Sequence, residues 1–214
     1  MGTRAEVDRA EVVRNLGGRE ADASPEAKAL LDRGIRLVRE ASDCRACWMA
    51  LPVAVGSDTA DFGLFSLHSR DLCHALSGCG IAVIFAATIG IGTDNLIRRY
   101  GAVQPSLAAV LQAAGAAAVE DLCDRLCAEI SVTLPLRRRY SPGYGDLPLQ
   151  AQREIFGVLD CPKNAGITLT ERLLMIPSKS VTAIAGVRDS GWDGFESPGC
   201  IACDTAGDCK FRRG

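Results

Sequence analysis

The stretch that constrains the backbone most is Arg139 to Pro148, which reads R-Y-S-P-G-Y-G-D-L-P. Pro142 fixes its own φ and pushes Ser141 toward an extended conformation. Gly143 and Gly145 lack a Cβ, so they accept left-handed angles and let a ligand come close to the main chain. Tyr144 between them offers a flat ring with a hydroxyl tip, and Arg139 a planar cationic fork suited to a carboxylate. Pro148 stands where a helix would start, ahead of the apolar periodic run Leu149, Ile155, Phe156 and Leu159. The stretch is read as a rigid loop that carries a cation and open backbone groups and feeds a helix. An ordinary Pro/Gly turn is the alternative.

A chain of 214 residues can bury one sizeable core, as a single domain or a domain with a helical appendage. A hydrophobic share of 48% with 23% charged residues argues against disorder. The net charge of −2 offers no long-range attraction to nucleic acid or to an anionic membrane. Met1 to Gly18 mixes acids and bases and does not read as a secretory signal. The best apolar run, Ile81 to Ile89, is strand-sized, so no membrane span is expected and the protein is read as cytoplasmic.

Val7, Ala10, Val13 and Leu16 fall near helical spacing before Gly17-Gly18. Ser24-Pro25 caps a second helix to about Ala41, with Leu30, Leu31, Ile35 and Val38 as its inner face. Strands are predicted for Cys47–Val55, Phe62–Leu67 and Ile81–Thr88, with a short helix from Ser69 to Leu76. Gly90-x-Gly92 is half of a dinucleotide fingerprint without its third glycine, and is read as a tight structural turn ahead of a helix capped by Thr93 or Asp94. The longest helix runs from Ser106 to about Ile130, with Leu122, Leu126 and Ile130 as a stripe. Ile167–Ile176 and Ser180–Val187 read as a strand pair around Pro177-Ser178, before an irregular tail from Asp189.

Hydrolytic chemistry finds little support. The two histidines, His68 and His74, lie in no metal-binding pattern, no G-x-S-x-G elbow exists, and no catalytic residue is assigned. Ten cysteines in a chain read as cytoplasmic favour reduced thiols or metal ligands over stable disulfides. Cys200-x-x-Cys203-x5-Cys209, joined by Cys44-x-x-Cys47, has the spacing of a zinc or iron–sulfur site. Cys73, Cys79, Cys123, Cys127 and Cys161 sit in apolar contexts and are read as core residues.

Taken with Ala165 to Val181 (A-G-I-T-L-T-E-R-L-L-M-I-P-S-K-S-V), the loop resembles the activation, or reactivation, domain of vitamin B12-dependent methionine synthase. The resemblance rests on Arg139, Gly143, Tyr144 and Pro148 in an R-x-x-x-G-Y-x-x-x-P pattern. It continues through Leu159 and Asp160 to Gly166, Leu169, Thr170, Glu171, Met175, Pro177, Ser180 and Val181. It implies a site for S-adenosylmethionine in which Arg139 takes the carboxylate and Glu120 complements the cationic part of the ligand. Backbone groups of Ser141, Gly143 and Tyr144 would read the adenine. It also implies a corrinoid-binding partner, methionine synthase, whose cobalamin accepts the methyl group, and an electron donor such as flavodoxin. The sequence departs from the family where Thr133 replaces an acid six residues before the arginine. A late tyrosine and an N-terminal aspartate also lack counterparts.

The expected fold is α+β, a mixed, mainly antiparallel twisted sheet flanked by helices. Residues 1–43 would form a helical arm, 44–188 the activation-like domain and 189–214 a cysteine-rich tail. The function so implied is a stand-alone reactivation module. A cysteine-rich metal or redox-interaction protein that keeps the fold, and a methyltransferase acting on a small substrate without any corrinoid, are the alternatives.

Overall fold

A computed structural model describes residues 4–17 and 24–188. Its centre is the strand β5 (Ile81–Thr88), whose uniform apolarity fits burial on both faces. It lies between β1 (Arg45–Pro52) and β8 (Ser180–Gly186), both antiparallel to it, with Trp48 opposite Phe85 and Ile84 opposite Ile184. Every strand pairing among the described residues is antiparallel. The architecture is α+β.

Side chains alternate along β5 and feed two large cores, with Val83 in a third, small cluster beside Ile130 and Val187. Phe85 and Ala87 point into the first, which is built on α5 (Pro105–Ser131) with α1 (Arg9–Asn15), α2 (Pro25–Ala41) and α4 (Ile91–Val103). Ala82, Ile84 and Ala86 point into the second. Its other walls are α3 (Arg70–Leu76), α6 (Gln152–Leu159), α7 (Cys161–Asn164) and a small sheet of β2 (Ala54–Val55), β3 (Thr59–Asp61) and β4 (Ser66–His68). A two-residue pair, β6 (Thr168–Leu169) with β7 (Met175–Ile176), completes the strands.

Several local expectations shift. Phe62 to Leu67 is mostly the turn between β3 and β4: Gly63 takes φ +76°, and its N–H is held by Asp61 Oδ1 at 2.9 Å. Ile167 to Ile176 folds back on itself as β6 and β7, and β8 pairs with β5 rather than with that run. In α1, Asp8 caps the helix by accepting from Ala10 N–H, so Val12 is the residue that faces inward. Ala10 and Leu16, expected on that face, are exposed, while Ala5 and Val7 are buried from the extended segment before the helix. Both α1 and α2 share the α5 core.

The helix α5 alters the reading of membrane segments. By length and composition it is long and apolar enough to cross a bilayer, with a mean hydropathy of 1.3 over its best window. That window is 61% buried inside the fold, as suits a core helix. The Gly90-x-Gly92 turn is structural. Gly90 (φ +82°) opens α4, and a Cβ on Gly92 would strike the Ala41 carbonyl at the end of α2. Neither Thr93 nor Asp94 caps α4; Asp94 instead accepts from Ser178 N (2.7 Å) and Oγ (2.6 Å).

Candidate functional site

The segment before the loop is held as an irregular fourth strand. Arg137 N donates to Gly186 O (2.8 Å), and Tyr140 and Ile184 exchange both backbone hydrogen bonds at 2.8 Å. Strand alternation then sends neighbours to opposite sides. Tyr140 joins the second core and reaches Asp71, while Arg139 turns to α5.

On α5, Glu120, Asp124 and Cys127 follow one another at i, i+4 and i+7, and so share a face. Arg139 Nη2 donates to Glu120 Oε2 at 2.5 Å and Nη1 to Asp124 Oδ1, and the Cys127 thiol lies beside the same side chain. The Arg139 side chain is only 20% exposed. Burial alone would lower its pKa, but the hydrogen bonds to Asp124 and Glu120 outweigh that, and the guanidinium is held charged above its ordinary value. Burial meanwhile pushes the adjacent Cys123 thiol up to about 12. One cation faces two anions, so the cluster as a whole is anionic. Glu120 also lines a cleft of about 360 Å³ between α1, α5 and the segment Ser178–Val181, where Lys179 Nζ donates to Gln112 at 2.7 Å.

The loop is braced from below. Asp146 accepts from Ser69 Oγ, Arg70 N (2.8 Å) and Asp71 N (3.3 Å), capping α3 from a distant part of the chain. The Asp71 carboxylate returns the contact by accepting from Asp146 N at 3.1 Å. Within the loop, Gly143 N donates to Leu147 O (2.9 Å) and Tyr144 N to Ser141 O (3.2 Å). Four of the backbone groups expected to be open are therefore engaged, the N–H of Gly143 and of Tyr144 and the carbonyls of Ser141 and Tyr144, the last accepting from Leu147 N at 3.0 Å and from the Tyr140 hydroxyl at 3.1 Å. Among the described residues, the Ser141 N–H and the Gly143 carbonyl have no hydrogen-bond partner. Tyr144 is 68% exposed, its ring face available for stacking. After Pro148 comes a 3-10 turn, Leu149–Ala151, before α6, which leaves Leu149 at the surface rather than in line with Ile155, Phe156 and Leu159.

Sequence reasoning named Arg139, Glu120, Ser141, Gly143 and Tyr144. The structure brings Arg139 and Glu120 into contact and sets the other three in the loop that follows. It missed Asp124, although a second acid four residues after Glu120 was a signal for the same helix face. It also missed Asp146, whose partners on α3 are 75 to 77 residues away and give no local sign.

The cysteine site is corrected in part. Cys44 and Cys47 are three residues apart along an extended chain, so they fall on opposite faces of the sheet. Cys44 is buried in the α5 core, and Cys47 packs on the second core, to which Cys161 also belongs. The two cannot share one metal ion. Among the described residues there is no group of three metal-ligating side chains. Cys200, Cys203 and Cys209 lie outside the described residues.

Residues 137–191 match a family model described as "Vitamin B12 dependent methionine synthase, activation domain". Over that stretch the chain is similar to an activation domain. The matched segment contains the loop, α6, α7, β6, β7 and β8. Thirteen solved chains match the fold as well, among them one described as "Crystal Structure of the MetH Reactivation Domain bound to AdoHcy". That match has a TM-score of 0.65 at 14% identity and covers 89% of this chain and 81% of the other, a likeness of fold that extends far beyond residues 137–191. No curated protein sequence matches the chain.

Proposed function

We propose that the protein binds S-adenosylmethionine between α5 and the Arg139–Pro148 loop and presents its methyl group to the cobalamin of a partner corrinoid methyltransferase, methionine synthase. The observation that carries this reading is the Arg139–Glu120 contact, which joins the activation-domain loop to the long helix. The related fold whose description names bound AdoHcy adds support.

The donor set suits such a ligand. S-adenosylmethionine carries a carboxylate, an ammonium, a sulfonium and an adenine. Arg139 offers the carboxylate a charged donor, Glu120 offers negative charge to the cationic centres, and Tyr144 offers a ring for stacking. The Ser141 N–H and Gly143 carbonyl supply one donor and one acceptor for a base edge. When bound in the partner, a reduced corrinoid supplies the nucleophilic cobalt that accepts the methyl group, with electrons from a donor such as flavodoxin. This chain's residues bind and orient the ligand, a proximity role that requires no protein nucleophile.

The test is reactivation. An inactive cob(II)alamin methionine synthase lacking its own activation domain is incubated with an electron donor and S-adenosylmethionine, with and without this protein. Recovery of synthase activity only when the protein is present supports the reading. Equal recovery in its absence, or no calorimetric binding of S-adenosylmethionine to the protein, refutes it.

A further inference from the structure

Arginine grips a free carboxylate best with two parallel N–H donors. In this protein the two terminal nitrogens of Arg139 are already engaged, Nη1 with Asp124 and Nη2 with Glu120. The two acids differ in situation. Glu120 lines the cleft beside α1, whereas Asp124 does not, and the Asp124 side chain is 54% exposed. Arg139 is also the one residue to which Asp124 is hydrogen-bonded among the described residues. The next acid along, Asp121, is occupied differently, in an i, i+4 pair with Arg125 at 2.8 Å.

We infer that Asp124 is an internal competitor for the ligand carboxylate, a specificity-determining residue that holds Arg139 until a carboxylate-bearing ligand displaces it. This rests on the proposed reading of the site. The exchange replaces one charge-assisted hydrogen bond to Arg139 by another and returns Asp124 to water. The net gain from Arg139 is therefore smaller than its donors alone would supply. Removing the Asp124 charge leaves Glu120 as the one anion on Arg139 and weakens the hold on its other edge to a neutral hydrogen bond. Such a change strengthens binding of ligands that carry a carboxylate and leaves those without one nearly unaffected.

The experiment compares wild type, Asp124→Asn and Asp121→Asn, the last removing the same charge from the same helix without touching Arg139. Each is titrated by calorimetry with S-adenosylmethionine and with its decarboxylated analogue. Asp124→Asn is expected to bind S-adenosylmethionine about tenfold more tightly, the exchange of roughly one charged hydrogen bond. Its affinity for the decarboxylated analogue should stay within about twofold, and Asp121→Asn should match wild type for both. Unchanged or weaker binding of S-adenosylmethionine by a folded Asp124→Asn overturns the inference, and so does an equal gain for both ligands.

A second readout needs no nucleoside. Phenylglyoxal modifies accessible arginines, and peptide mass spectrometry resolves the rate at Arg139. That rate should rise several-fold in Asp124→Asn, and an unchanged rate overturns the competitor role. If neither nucleoside binds wild type while the labelling rate still rises, the ligand assignment fails and the hold of Asp124 on Arg139 stands.

Discussion

Replacing Gly145 by alanine tests how the loop is built. Gly145 adopts φ +51°, and a Cβ there would run into the Asp71 carboxylate and the Tyr140 hydroxyl. The left-handed conformation costs an alanine about 1 kcal/mol. Displacing Asp71 and Tyr140 disturbs the bond from Asp146 N to Asp71 (3.1 Å) and that from the Tyr140 hydroxyl to Tyr144 O (3.1 Å). At roughly 1 kcal/mol each, these bring the loss to about 2–4 kcal/mol. For a chain of this size that lowers Tm by about 5–15 °C, read by circular dichroism on heating. Gly157→Ala is the control. It lies on the exposed face of α6 with nothing near its would-be Cβ, and should gain about 0.5–1 kcal/mol from helix propensity. A Gly145→Ala protein that melts within about 2 °C of wild type would show that the loop relaxes freely, and would refute the argument.

Arg139→Ala should weaken S-adenosylmethionine binding roughly ten- to a hundredfold by calorimetry, whereas the exposed neighbour Arg138→Ala should change it little. Asp146 is held below the usual carboxylate range by its hydrogen bond from Ser69, with backbone bonds from Arg70 and Asp71 adding to the effect. Its stabilising contribution is therefore present above the unfolded value near ~4 and fades as pH falls through the depressed one. Asp146→Asn should accordingly melt earlier than wild type at neutral pH, with the gap closing in acid; a gap that is constant with pH contradicts this assignment. The buried Cys123 thiol, pushed up to about 12, should resist iodoacetamide in the native protein at pH 8 and react only after unfolding, as mass spectrometry of the labelled peptides will show.

Local signals in the chain located most elements. Ser24-Pro25 starts α2 as capping chemistry requires, with Ser24 Oγ accepting from Ala27 N. The apolar run Ile81–Thr88 is β5 in full, and α5 extends one residue beyond its expected span at each end. The failures concern distance along the chain. That β8 lies against β5, about a hundred residues earlier, follows from no local pattern. The brace from Asp146 to α3 is equally nonlocal. The separation of Cys44 from Cys47 was legible in the two-residue period of a strand, once the strand is known to start at Arg45. Arg139 and Glu120 were found through the resemblance. Asp124 required seeing which face of α5 the loop meets.

The antiparallel seam between β8 and β5 bears on how the recognisable segment can be handled. Residues 137–191 hold the motif, yet β8 borrows its hydrogen-bonding partner from Ile81–Thr88, and Arg139 its counter-ions from α5. Excised at the limits of the family match, the peptide would expose an unpaired strand edge and strip one wall from each of two cores. Grafting the loop into another scaffold therefore means transplanting the strand and the long helix with it. The stretch that carries the motif is shorter than the set of elements that holds it in place.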